Sequence, residues 1–273
     1  MTDAIRAVLF GMRYRPGVWL VCGLGWIVYG TFSAKIVPLI IYLTGDPSFR
    51  DQLLPTLLPD AIPATVLGAY PLFGAIFMVA LGGLVIGNEY RWGTIGTLLV
   101  QRASRTEVAL SQAAALGVVT FVTSVGYAVV NTVVSLVIAA ALGASTALPA
   151  ALPLLGAVAG SWLIAFVYAM IGGAVAHLFR SAIAAVGAAI VLVIVVENVL
   201  GLLAGFLPGV RWVQAILPGP SGGALAAAAG APAGTPGLVA VAPVGVGIAV
   251  LLGWIVVCVG CSVALVRIRD VTP

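Results

Sequence analysis

Six apolar runs, at 17–43, 64–87, 108–142, 149–177, 181–207 and 238–266, leave this chain few ways to fold. Each exceeds the ~20 residues a helix needs to cross a hydrocarbon core. In lipid every backbone polar group must be satisfied within the chain, and runs of this length achieve that as helices. With 62% hydrophobic and 7% charged residues and a mean hydropathy of +1.22, the chain has too little polar surface to coat a water-soluble globule. The expectation is an all-α integral membrane protein: residues 1–16 an amphipathic interfacial helix, 17–273 a domain of six transmembrane helices. The third run is long enough to tilt or project beyond the bilayer. Pro71 and Pro243 fall inside runs and are expected to kink them.

Ahead of the first run, Ile5, Val8, Leu9 and Met12 fall at i, i+3, i+4 and i+7, with Arg6, Arg13 and Arg15 around them, the pattern of a helix lying on a membrane surface. Basic residues then set the orientation. One side of the bilayer receives Arg6, Arg13, Arg15, Arg91, Arg102, Arg105, Arg180, Arg267 and Arg269; the other receives Arg50 and Arg211, beside Asp46, Asp51 and Asp60. By the positive-inside rule both termini are cytosolic, in a multi-pass protein of the inner or plasma membrane. The same distribution makes the net charge of +4 a report on topology, with no nucleic-acid partner implied.

Between the second and third runs, residues 88–107 hold five charged side chains and must lie in water at the cytosolic face. Trp92, Ile95, Leu98 and Leu99 recur at helical spacing, with Arg91, Thr94 and Thr97 mostly between them. Ser104 and Glu107 then form a capping box ahead of the third run. The motif Glu89-x-Arg91-x-Gly93-Thr94, followed by Leu98-Leu99 and Gln101-x-x-Ser104-Arg105, resembles the E-x-x-x-G-T…LL…P-x-S-R signature of type-2 ABC transporter permeases. It departs from that pattern at Arg102, where the family often has proline.

The resemblance implies a coupling helix at about 89–105 that docks on a cytosolic ABC ATPase subunit. In that picture Glu89 and Arg91 make polar contacts at its edge and Trp92, Thr94 and Leu98 belong to the docking surface. Gly93 and Gly96 allow close backbone approach, and Ser104 ends the segment. Arg102 and Arg105 pair with acids on the partner or with anionic lipid. The resemblance also implies a second permease subunit, in a homo- or heterodimer, and an outer re-entrant segment at about 208–237. That stretch carries Pro208, Pro218, Pro220, Pro232 and Pro236 around an Ala/Gly-rich centre, with short helices expected at 210–217 and 223–229. The small-residue pairs Gly156 with Gly160 and Gly201 with Gly205 permit close helix packing.

Several chemistries are excluded. A P-loop needs lysine directly after glycine, and the only lysine, Lys35, follows Ala34, so ATP hydrolysis and its Mg belong to a partner and no cofactor is expected in this chain. His177 is the sole histidine, which rules out a zinc centre of the usual composition and leaves the Gly219-Pro220-Ser221-Gly222 run without the later histidine of an intramembrane serine protease. His177 is expected at the cytosolic end of the fourth helix, where positive charge suits the dipole. Cys22, Cys258 and Cys261 sit in apolar runs as small hydrophobes.

Two ionisable residues interrupt the apolar runs, Lys35 in the first and Glu197 in the fifth. A charge at the bilayer centre costs ~2.5 to 3.5 kcal/mol on insertion scales, so each needs a reason to be there. At ~1.5 Å per residue both lie roughly 24 to 27 Å from the cytosolic helix ends. That depth allows an ion pair between them, snorkelling to the outer interface, or a role in the substrate path or an outer gate. The expected function is the permease subunit of an ABC exporter for a hydrophobic or amphipathic substrate. Two alternatives stay open: a proton-coupled secondary transporter using Glu197, and a non-transporting membrane assembly subunit.

Overall fold

The computed structural model describes residues 2–93, 104–207, 209–235 and 237–268. In chain order its helices are α1 (Thr2–Arg13), α2 (Pro16–Thr44), α3 (Pro47–Leu57), α4 (Pro59–Arg91), α5 (Arg105–Ala141), α6 (Ala151–Phe179), α7 (Ala182–Phe206), α8 (Val210–Ala215), α9 (Pro218–Ala228) and α10 (Val244–Ile268). Among the described residues no strand occurs. Six helices, α2, α4, α5, α6, α7 and α10, are long and apolar enough to cross a membrane, and the chain is a multi-pass membrane protein of all-α class. Because they alternate in direction, one end of the bundle gathers Arg13, Arg91, Arg105, Phe179 and Ile268; we call it the terminal face and its opposite the far face.

The centre is built from α4, α5 and α6, which bury about half or more of their apolar windows, whereas α2, α7 and α10 leave most of theirs exposed. Glycine sets the closest approach. A Cβ at Gly82 of α4 would strike the backbone of Ala169 in α6, and one at Gly172 of α6 would strike the Val79 carbonyl of α4. The glycine pairs expected to do this work lie elsewhere: Gly156 and Gly205 face open space, and of the four only Gly160 meets side chains of other helices closely, those of Leu67 and Leu225.

Polar bonds inside the bundle hold α2 against this centre. The Trp26 indole N–H donates to the Tyr70 hydroxyl at 3.0 Å, which in turn lies 3.0 Å from the Ser124 hydroxyl. The Trp26 ring also packs 4.8 Å from that of Tyr127. One turn beyond, the Asn131 amide donates to the Thr31 hydroxyl at 3.1 Å. Bonds of this kind average about 0.6 kcal/mol each, so the set fixes register more than it stabilises.

Proline acts differently at its two expected kinks. Pro71 has no N–H to give, and the helix absorbs the loss by widening over Tyr70–Gly74, where the Gly74 N–H reaches back to the Ala69 carbonyl at 3.1 Å. Pro243 kinks nothing: α10 starts at Val244 and not near 238, and the Pro243 carbonyl accepts the Gly247 N–H at 3.1 Å in the helix's first turn. Similar wide turns cover Phe32–Ile36, which contains Lys35, and Leu192–Val196, which ends one residue before Glu197.

At the terminal face α1 buries Val8 and Met12, with Leu9 packed against the core, and exposes Arg6. The Trp19 indole donates to the Arg13 carbonyl at 2.7 Å and closes the corner between α1 and α2. On the far face Asp46 caps α3 by accepting the Ser48 N–H at 2.9 Å, a bond that holds its carboxyl below the usual carboxylate range.

Candidate functional site

The last turn of α4 carries Glu89 to the terminal face, where Gly93, at φ +66°, turns the chain away. The Gly93 N–H closes on the Tyr90 carbonyl at 3.2 Å and the Trp92 N–H on that of Asn88 at 3.0 Å. Arg91, Trp92 and Gly93 are exposed. Glu89 is not: it is 3% exposed, accepts a hydrogen bond from the Gln112 amide of α5, and lies 3.6 Å from the Arg15 guanidinium at the head of α2. Arg15 also donates to the Val85 carbonyl at 3.1 Å and sits 5.1 Å from the centre of the Trp92 ring. Thus Glu89 is an internal node joining α2, α4 and α5, a correction to its expected place at the edge of a docking surface.

Thr94, Gly96, Leu98 and Arg102 lie outside the described residues. The chain resumes at Ser104, whose hydroxyl accepts the Glu107 N–H at 3.1 Å as the capping box requires. Arg105 reaches across to the end of α10, donating to the Arg267 carbonyl at 3.0 Å and the Val266 carbonyl at 3.5 Å. Arg267 answers by donating to the Thr106 hydroxyl at 2.9 Å. A cation on the last carbonyls of a helix suits its dipole, so Arg105 ties α5 to α10. His177 stands at the end of α6 as expected. It is buried, however, with Nδ1 2.9 Å from the Tyr90 hydroxyl.

The two charges set in apolar spans do not meet. Among the described residues no ion pair joins Lys35 to Glu197; each instead holds the end of a helix returning from the far face. Lys35 is fully buried, and its ammonium donates to the Thr56 carbonyl at 2.7 Å, in the final turn of α3. Glu197 accepts the Gly219 N–H at 3.3 Å and the Tyr168 hydroxyl at 3.2 Å. Gly219 lies in the first turn of α9, between Pro218 and Pro220, which have no N–H. A negative charge therefore sits at a helix N-terminus and a positive one at a C-terminus, each matched to the dipole it faces.

The α8–α9 hairpin folds back alongside α7 and α10. Its turn is pinned by the Trp254 indole, which donates to the Ile216 carbonyl at 2.8 Å. Trp254 is ten residues into α10 and Glu197 nine residues from the end of α7, so the tip reaches roughly 15 Å below the far face at ~1.5 Å per residue. Residues Pro218–Ala226 are buried there. The second short helix starts five residues earlier than the expected 223, at the proline that suits a first turn. Sequence reasoning missed Arg15, Gln112, Tyr168 and Gly219; of these only Gly219, a glycine between two prolines, carries a local signal.

No curated protein matches the chain. The matching family model is described as a protein of unknown function, DUF2705, and covers residues 53–272, from the second half of α3 through α10 and including Glu89, Arg105 and Glu197. On that match the chain belongs to the DUF2705 family.

Proposed function

We propose that this chain is the membrane subunit of an ABC transporter, an exporter of a hydrophobic or amphipathic compound, driven by separate cytosolic ATPase subunits and paired with a second permease subunit. The terminal face is then the cytosolic one, and α1 lies on the inner leaflet. The observation that carries the reading is that both ends of the 89–105 segment are fastened to other helices: Glu89 to Arg15 and Gln112, Arg105 to the end of α10. A push on that segment reaches α2, α4, α5 and α10 together, as a coupling element requires. In this reading Arg91 and Trp92, with Thr94, Gly96, Leu98 and Arg102 beyond them, meet the ATPase; Glu89 and Arg105 transmit its motion. The α8–α9 hairpin closes the pathway from outside.

The test replaces residues 94–103 with a Gly/Ser linker of equal length. The native chain is expected to purify from its own membranes with ATP-hydrolysing activity, and the linker variant to lose it while keeping its own thermal stability. ATPase activity that stays with the linker variant overturns the coupling assignment.

A further inference from the structure

Beside Glu197 lies a cavity of about 20 Å³, lined by Ile171, Leu192, Val196, Leu217 and Trp254 as well as Glu197 itself. That is room for one water-sized group. The walls are apolar apart from the carboxylate. Of the carboxylate's two hydrogen-bonding neighbours, the Gly219 amide can only donate, and the Tyr168 hydroxyl is placed to donate. Both bonds are ones that an ionised Glu197 carboxylate accepts.

Among the described residues no cation answers that charge. The hairpin's only basic residue, Arg211, turns instead to the Ala204 carbonyl at 3.4 Å, seven residues further along α7. Among the described residues Glu197 makes no ion pair. A carboxylate in apolar surroundings without a counter-charge is costly, and a cation brought from outside lowers that cost. The cavity limits the cation to the size of a single ammonium group.

The approach to the cavity is apolar and open. Val196 lines it and is exposed, and Val199 and Leu203 continue the same helical face, both exposed, over roughly 10 Å at ~1.5 Å per residue. This strip suits an alkyl chain leading away from the charge. We propose that Glu197 and its cavity form a binding site for the ammonium group of a lipophilic primary amine, whose tail lies along Val196, Val199 and Leu203. That such an amine is cargo rests on the transporter reading; that it binds does not.

The experiment uses the full chain in phosphatidylcholine nanodiscs without any ATPase, and measures equilibrium binding of radiolabelled decylammonium with empty nanodiscs subtracted. Saturable binding near one per chain is expected. Decanol, with the same tail and no charge, and decyltrimethylammonium, with a head too large for the cavity, are expected not to compete. Glu197→Gln keeps an acceptor for Gly219 and is expected to weaken binding at least tenfold. Gly219→Ala, whose new methyl would displace the carboxylate, is expected to weaken it too. The proposal is overturned if no saturable binding exists, as when a proton alone occupies Glu197, if decanol competes as well as the unlabelled amine, or if Glu197→Gln binds like the native chain. The competition series on the native chain decides without either variant.

Discussion

The terminal and far faces place charge in opposite ways. At the terminal face a carboxylate meets a guanidinium: Glu89 and Arg15, with Gln112 on the remaining side, bind three long helices at one point. At the far face Lys35 and Glu197 have no ionic partner among the described residues, and each meets the end of a short helix, Lys35 the C-terminus of α3 and Glu197 the N-terminus of α9. The Lys35 contact holds α3 alone, whereas the contacts of Glu89 hold three spans. On the proposed transporter reading, the difference teaches how one bundle can be stiff where an ATPase pushes and yielding where the pathway opens. In that reading rigid transmission belongs to the Arg15–Glu89 node, and movement to α3 and the α8–α9 hairpin.

The strongest way to break this contrast is Glu89→Ala. It leaves Arg15 without the Glu89 carboxylate and the Gln112 amide without its acceptor, and breaking a largely buried pair in this way costs about 3 kcal/mol. The thermal midpoint of the purified chain is expected to fall by several degrees, against no measurable change for exposed Arg91→Ala. Equal midpoints for the two variants would remove the node from the account.

A smaller effect sharpens the comparison at the other face. Lys35→Met leaves the Thr56 carbonyl without its donor but also removes a buried charge, so the two contributions oppose each other and global stability changes by less than about 1 kcal/mol. The loss is local. Amide hydrogen exchange in α3 is expected to quicken about tenfold, which corresponds to ~1.4 kcal/mol of local opening, with α8 and α9 unchanged. Faster exchange spread evenly over the bundle would show that Lys35 holds more than α3.

The sequence made the architecture legible wherever the cause was local. Run length located the six spans, with every end within six residues of its expected place, and the spacing of Val8, Leu9 and Met12 identified the buried face of α1. Ser104 announced the start of α5. What stayed hidden depends on pairs distant in the chain. Arg15 looks like one more flanking basic residue until Glu89, seventy-four positions later, is seen against it. Gly82 and Gly172 look no different from Gly156 until α4 and α6 are packed together. Lys35 and Glu197 shared a depth and opposite signs, which allowed pairing; they stay apart because helix ends, invisible to a count of charges, complement each of them.

The most direct measurement of the whole account is the alkylation rate of Ser221→Cys, buried within the hairpin, in a background with Cys22, Cys258 and Cys261 replaced by alanine. It is made in vesicles holding the chain with its co-purified ATPase, using a membrane-impermeant maleimide on the far side. The account predicts that ATP raises the rate, and that the increase disappears when residues 94–103 are replaced by the Gly/Ser linker. A rate that is the same with and without ATP would contradict the claim that work done at the terminal face moves the hairpin at the other.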